Sequence, residues 1–181
     1  MASQGGDDAA AVALVRRRKV LIAVDESDES IYALSWALEN LIVPGRPNDA
    51  EEPRVSNLVI LLHVQTHPQV FVGPAGPGHA PAGFYITPEI IDSVKKHQEE
   101  ISRKVLLRAK KLCDEKHLET ETMVAVGDPR DAICEAVEKL AVDYLVIGSH
   151  GYGAIKRTFL GSVSDYCAHK AKCPVVIVKK K

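Results

Sequence analysis

The sequence predicts an α/β domain: one open, five-stranded parallel sheet with helices on both faces. Three observations predict it. Five short runs are apolar at nearly every position, and helical periods separate them. The length of 181 residues, with 46% hydrophobic and 26% charged side chains, suits one globular domain. A chain this long buries about 70% of its unfolded surface and needs no covalent staple.

The runs are Val20 to Val24, Leu58 to Leu62, Met123 to Val126, Tyr144 to Ile147 and Val175 to Val178. A strand apolar at every position has both faces covered, as in a parallel sheet between helix layers. The third run differs: Thr120, Glu121 and Thr122 precede it and polar residues alternate with apolar ones, as on an edge strand.

Between the strands the period changes. Ile31, Leu34, Leu38 and Leu41 step as one helix face, with Ser27 or Asp28 available as its N-cap. Thr87, Pro88 and Glu89 supply a cap, a first-turn proline and an N-terminal acid for a long second helix. Its apolar stripe is Ile91, Val94, Ile101, Val105, Ala109 and Leu112. Pro129 opens a third helix containing Ile133, Val137 and Leu140. Gly161 and Ser162 open a fourth that ends before Pro174.

Two stretches break the pattern. Residues 44–57 are polar with three prolines, and a Pro/Gly-rich insertion covers about 66–87. A loop of that length is mobile, functional or a tolerated surface insertion. Residues 1–17 read as a flexible N-terminal tail and 18–181 as the folded domain.

Charge narrows the class of function. Lys plus Arg number 23 against 24 Asp plus Glu, a formal net charge of −1, unlike the basic footprint of a nucleic-acid binder. No apolar run approaches the ~20 residues that span a bilayer. The N-terminus places its charge after its apolar segment, the reverse of a signal peptide. Cytoplasm is the expected location. The run Arg16 to Lys19 reads as a solvated charge run and leaves a nuclear location open. The four cysteines, Cys113, Cys134, Cys167 and Cys173, form no C-x-x-C pair, so no disulfide framework or zinc ribbon is expected. Cys134 and Cys167 read as small buried residues. His63 and His67 straddle a strand end and share no helix face, so no metal site is expected there.

In open parallel sheets ligands bind beyond the carboxyl ends of the strands, where strand order reverses. The residues there are Asp25, His63 with Val64, Gly127 with Asp128, and Gly148. Gly148, Gly151 and Gly153 follow the fourth strand, where bare N–H groups can face an anion. Gly161 and Ser162 then start a helix whose free N–H groups favour a phosphate. Ser162 and Ser164 offer hydroxyls, and Lys156 and Arg157 offer charge. The same pattern also fits a glycine turn before an ordinarily capped helix. Neither G-x-x-x-x-G-K-[ST] nor G-x-G-x-x-G is present. Asp25 suits a ribose hydroxyl, with a turn or helix-capping carboxylate as the alternative. If Asp25 and the Gly148 turn serve one ligand, the first and fourth strands are neighbours. The sheet order is then 3-2-1-4-5.

Lys19 to Asp25, Leu61 to Val64, Val126 to Pro129, Gly148 to Ser164 and Cys173 to Val178 together resemble the universal stress protein family, over about residues 17 to 179. The spacing Gly148-x-x-Gly151-x9-Gly161-Ser162 resembles that of the family's ATP-binding branch. The resemblance implies an adenine nucleotide, ATP or AMP, at the switch point, with Mg2+ accompanying ATP. It implies that the backbones of Ala23, Val24 and especially Val64 hold adenine and that Asp25 takes the ribose. It places Gly148, His150, Gly151, Gly161, Ser162, Val163 and Ser164 around the phosphates. It also implies homodimers joined through Val175 to Val178, although Lys179 to Lys181 could instead guard that edge.

The expected function is therefore a nucleotide-dependent regulator or switch in stress response, with protein partners unspecified. The alternatives are a slow ATP hydrolase or self-phosphorylating enzyme, and a holdase in which nucleotide is incidental. No carboxylate here sits in a motif that would make it a catalytic base.

Overall fold

Residues 17–42, 56–66, 88–151 and 160–180 are described by the structure, a computed structural model. In chain order the elements are β1 (Arg17–Ala23), α1 (Asp28–Asn40), β2 (Ser56–Gln65), α2 (Pro88–Glu115) and β3 (Glu119–Val126). They continue as α3 (Pro129–Leu140), β4 (Tyr144–Gly148), α4 (Ser162–Lys170) and β5 (Val175–Val178). The strands form one sheet in the order β3-β2-β1-β4-β5, all pairs parallel. This is the expected fold, and its order reverses between β1 and β4.

Alternate residues of each central strand enter opposite layers, which is why those strands are apolar throughout. Val20, Ile22 and Val24 pack with Leu34 and Leu38 of α1 and with Val105 and Ala109 of α2. Leu21 and Ala23 face the other way, onto Ile133 and Val137 of α3 and Cys167 of α4. β3 is an edge, and its alternating pattern follows from having one face in solvent.

The helix boundaries follow local chemistry. Ser27 caps α1, its hydroxyl oxygen accepting the Ser30 N–H at 3.2 Å. Asp128 caps α3 through the Arg130 N–H at 2.9 Å, with Pro129 in the first turn. Gly161 occupies the N-cap of α4 and supplies no side-chain bond.

Four expectations change. Ile91 is not core: it is 43% exposed and its neighbour Ile90 is 52% exposed. The 28-residue α2 is about 42 Å long, whereas the ten residues of β2 span about 33 Å. Burial along α2 begins only at Ser102, so the first turns run past the strands that would cover them. Cys134 is half-buried, unlike the fully enclosed Cys167, because its part of α3 opens to the surface. The charge run is not simply solvated. Arg17 pairs with Glu119, Arg18 lies 5.4 Å from the Tyr144 ring centroid, and the Lys19 ammonium donates to the Leu140 carbonyl at 2.9 Å. Ser56 and Asn57, read as the end of a loop, already belong to β2. Gly153, Lys156, Arg157, His67, Thr87 and nearly all of the 66–87 insertion lie outside the described residues.

Candidate functional site

The carboxyl ends of β1, β2 and β4 converge with the N-termini of α3 and α4 around a cavity of about 590 Å3. Asp25 enters it directly after β1. Its Oδ1 accepts the Ser27 N–H at 3.0 Å and also the Ser27 hydroxyl, and Ser27 in turn caps α1. Asp25 is thus the turn carboxylate allowed by the sequence. Its second oxygen faces the β4 side of the cavity, where a Cβ on Gly151 would lie 2.8 Å from Oδ2.

The described residues on either side of positions 152–159 are tied together. Ser149 donates its N–H to the Val178 carbonyl at 2.8 Å, anchoring the loop to β5. The Ser149 carbonyl then accepts the Gly161 N–H at 2.8 Å and the Ser164 hydroxyl at 3.0 Å. Both sides therefore meet at one carbonyl. Ser164 is buried, and its hydroxyl braces the turn, also reaching the Gly161 carbonyl at 2.9 Å. The first helical bond of α4 runs from the Asp165 N–H to the Gly161 carbonyl. The N–H groups of Ser162, Val163 and Ser164 are left without intrahelical acceptors, and no capping side chain covers them. These donors and the positive end of the helix suit an anion.

All eleven residues expected around a ligand line this one cavity: Ala23, Val24, Asp25, Val64, Gly148, His150, Gly151, Gly161, Ser162, Val163 and Ser164. None of its lining residues among those described is Lys or Arg. Among the described residues the donors there are backbone N–H groups, and His150 Nδ1 lies 3.1 Å from Ser149 Oγ. Among the described residues no group of three or more His, Cys, Asp or Glu side chains is arranged for a metal ion. No helix among them is long and apolar enough to cross a membrane.

Comparison with known proteins decides the family. The model of the universal stress protein family matches residues 16–179. The chain belongs to the universal stress protein family. Among its relatives, the universal stress proteins PHOS34 and PHOS32 of Arabidopsis thaliana are 36% and 35% identical, each over 90% of this chain. The chain spans 62% and 65% of their respective lengths. Among solved structures, a universal stress protein family protein from Arabidopsis thaliana with AMP bound superposes with a TM-score of 0.60. It is 25% identical, covering 91% of this chain and 92% of that one. Universal stress protein UspA from Lactobacillus plantarum, 21% identical with a TM-score of 0.61 over 91% and 99% of the two chains, shares the fold.

This universal stress protein domain also brings to the cavity His63, which its strand-end position marked, and residues that the pattern did not tie to a ligand. Gln65 and Thr66 come from the end of β2, Gln98 and Ile101 from α2, and Pro129 and Ile133 from α3. Nothing in the sequence signals Gln98, because its place depends on where α2 crosses the sheet.

Charge at the rim is already committed. The Arg130 guanidinium meets Asp128 through Nε at 3.0 Å and Nη2 at 2.6 Å, and lies 5.8 Å from the Tyr166 ring centroid. That guanidinium holds the Asp128 carboxyl down to about 2. Where α3 meets α4, burial pushes the Cys167 thiol up to about 12 and raises Cys134 as well. Neither thiol is an activated nucleophile.

Proposed function

We propose that this universal stress protein binds an adenine nucleotide, AMP or ATP, in the cavity at the β1/β4 switch point, and that occupancy makes it a nucleotide-dependent regulator in stress response. One observation carries the proposal. The residues on either side of positions 152–159 meet at the Ser149 carbonyl and leave the uncapped N-terminus of α4 open to the cavity that Asp25 borders. Such a site offers N–H donors to phosphate and a carboxylate to a ribose hydroxyl. The AMP bound in the Arabidopsis family structure supports the same ligand class.

In this reading the phosphates lie against Gly148, His150, Gly151, Gly161, Ser162, Val163 and Ser164. Asp25 takes the ribose, and the backbones of Ala23, Val24 and Val64 border the base. With ATP, Mg2+ enters on the phosphate oxygens and keeps most of its water. Two copies pair through Val175 to Val178 on the β5 edge, and the protein resides in the cytoplasm. The folded domain, expected over residues 18–181, takes in Arg17 as the first residue of β1.

The test starts from purified protein stripped of ligand by unfolding and refolding. Calorimetric titration with AMP and ATP is expected to show saturable binding of one nucleotide per chain. Absence of binding overturns the proposal. Turnover of ATP well above ~0.1 s⁻¹ would replace a binding protein with an enzyme, since productive enzymes turn over at ~1–10³ s⁻¹. Light scattering after gel filtration reads the dimer, and fractionation of tagged protein reads the location.

A further inference from the structure

β3 is the sheet edge opposite β5, and little in its sequence closes that edge to another strand. From Glu119 to Val126 it holds no lysine, proline or glycine, and Thr120, Thr122, Val124 and Val126 are all good strand formers. Gly127, just past the strand, donates its N–H to the Gln65 carbonyl of β2 at 2.9 Å. In a parallel ladder every second residue turns both its backbone groups to the same neighbour. Glu121, Met123 and Ala125 therefore bond to β2, and Thr120, Thr122, Val124 and Val126 turn their N–H and carbonyl groups outward. Among the described residues nothing pairs with those outward groups.

The side chains alternate in the same rhythm. Met123 and Ala125 pack onto the core that holds Leu62 and Ile133. Val124 and Val126 point to the other face, where they are 43% and 61% exposed, and Thr122 beside them is exposed as well. Open backbone groups along an edge and apolar side chains next to it are both covered when a further strand is added.

The order of residues along β3 fits a second copy of this chain running antiparallel. A two-fold axis normal to the sheet at Met123 sets Thr120 opposite Val126 of the second copy and Thr122 opposite its Val124. Each such pair exchanges both of its backbone hydrogen bonds, so no outward group of the strand is left over. Met123 meets its own copy, and Glu121 meets Ala125. The acids fall in the first half of the strand and the valines in the second, so reversal brings no acid opposite an acid. Glu119 comes opposite Gly127 already paired with Arg17, and Asp128 next to that glycine is already paired with Arg130. A copy running parallel in register would instead stack Glu119 on Glu119 and Glu121 on Glu121, which is unfavourable.

We infer that a second copy of this chain docks antiparallel on β3 and extends the sheet across a two-fold axis at Met123. The inference stands apart from nucleotide binding and from pairing at β5. Contacts at opposite edges are compatible, and two such interfaces on one chain build assemblies larger than a dimer.

The experiment is gel filtration with light scattering on the full chain over a concentration series. Thr122→Pro removes an outward N–H and no bond to β2. Val124→Lys places a charge on the exposed apolar face, and is a second variant should Thr122→Pro fail to fold. The unaltered protein is expected to gain mass with concentration and to reach at least about twice the mass of either folded variant. Cross-linking reads the register. Residues facing each other in a non-hydrogen-bonded antiparallel pair have Cα atoms about 4.5 Å apart, within disulfide reach. Under mild oxidation with copper phenanthroline, Met123→Cys is expected to form a reducible covalent dimer. Ala125→Cys, whose partner position is Glu121, and the unaltered chain with its four cysteines are not. A mass that neither folded variant lowers overturns the inference. So does a Met123→Cys protein that cross-links no more than Ala125→Cys. Neither result touches the nucleotide reading, which the AMP and ATP titrations test separately.

Discussion

Asp25 and Gly151 come so close that a Cβ on the glycine would lie 2.8 Å from Oδ2 of the aspartate. The two residues belong to different strand ends, β1 and β4, and their approach joins the two halves of the sheet at the switch point. Asp25 has little room to retreat, because its other oxygen holds the Ser27 N–H and hydroxyl that start α1. Gly151→Ala is therefore expected to displace the carboxylate rather than unfold the domain. AMP affinity should fall by about tenfold, the value of one good hydrogen bond to a charged group. Calorimetry reads the affinity, and a cooperative melt shows that the fold survives.

Gly161 has a harder neighbour. A Cβ there would stand 3.1 Å from the Ser149 carbonyl oxygen and 3.4 Å from the His150 Cα, both backbone atoms just after β4. Gly161→Val forces these residues apart and loosens the Gly161 N–H bond that fixes the start of α4. Nucleotide affinity should fall further than in Gly151→Ala, with a stability loss of about 1–3 kcal/mol. Unchanged affinity in a folded Gly161→Val protein would remove the phosphate from this loop.

The layers of the fold were legible because β1 has no polar residue between Val20 and Val24: alternate residues had to meet apolar partners on both sides. The sheet order was legible only through function. Asp25 and Gly148 can serve one ligand only if β1 and β4 adjoin, and they do. The α2 side of the cavity was not legible, because a helical period shows which face is buried but not how far the helix slides along the sheet. That same unknown hid the exposure of Ile91 and the arrival of Gln98 beside Thr66.

Ala141 ends α3 in the left-handed conformation, at φ 48° and ψ 58°, where glycine is the usual residue. Its N–H still closes the helix on the Glu138 and Val137 carbonyls. Cβ crowding in this conformation costs about 1–2 kcal/mol for an L residue. Glycine relieves it but loses more backbone freedom on folding, by roughly 0.5–1 kcal/mol. Ala141→Gly is expected to leave the cap bonds intact and to raise stability by up to about 1 kcal/mol. Chemical denaturation should show a higher midpoint with an unchanged slope.

Asp128 gives the protein an acid-range signature whose sign can be worked out. In the folded chain Arg130 holds its carboxyl at about 2, first by side-chain hydrogen bonds and then by the bond from its own N–H. In the unfolded chain an aspartate titrates near ~3.9. Between those values the unfolded chain binds more protons, so stability rises with pH across the window. The contribution is fully present above the ordinary carboxylate range and is lost as pH falls through about 2. Both side chains are substantially exposed, so salt screens the pair and shrinks the effect. Carbon-detected NMR of the Asp128 carboxyl should show a midpoint near 2 at low salt. Arg130→Ala should move it up toward the ordinary range, and salt should move it the same way. An ordinary midpoint in the unaltered protein would mean that the Asp128–Arg130 pair does not persist in solution. The α3 cap would then rest on the backbone bond alone.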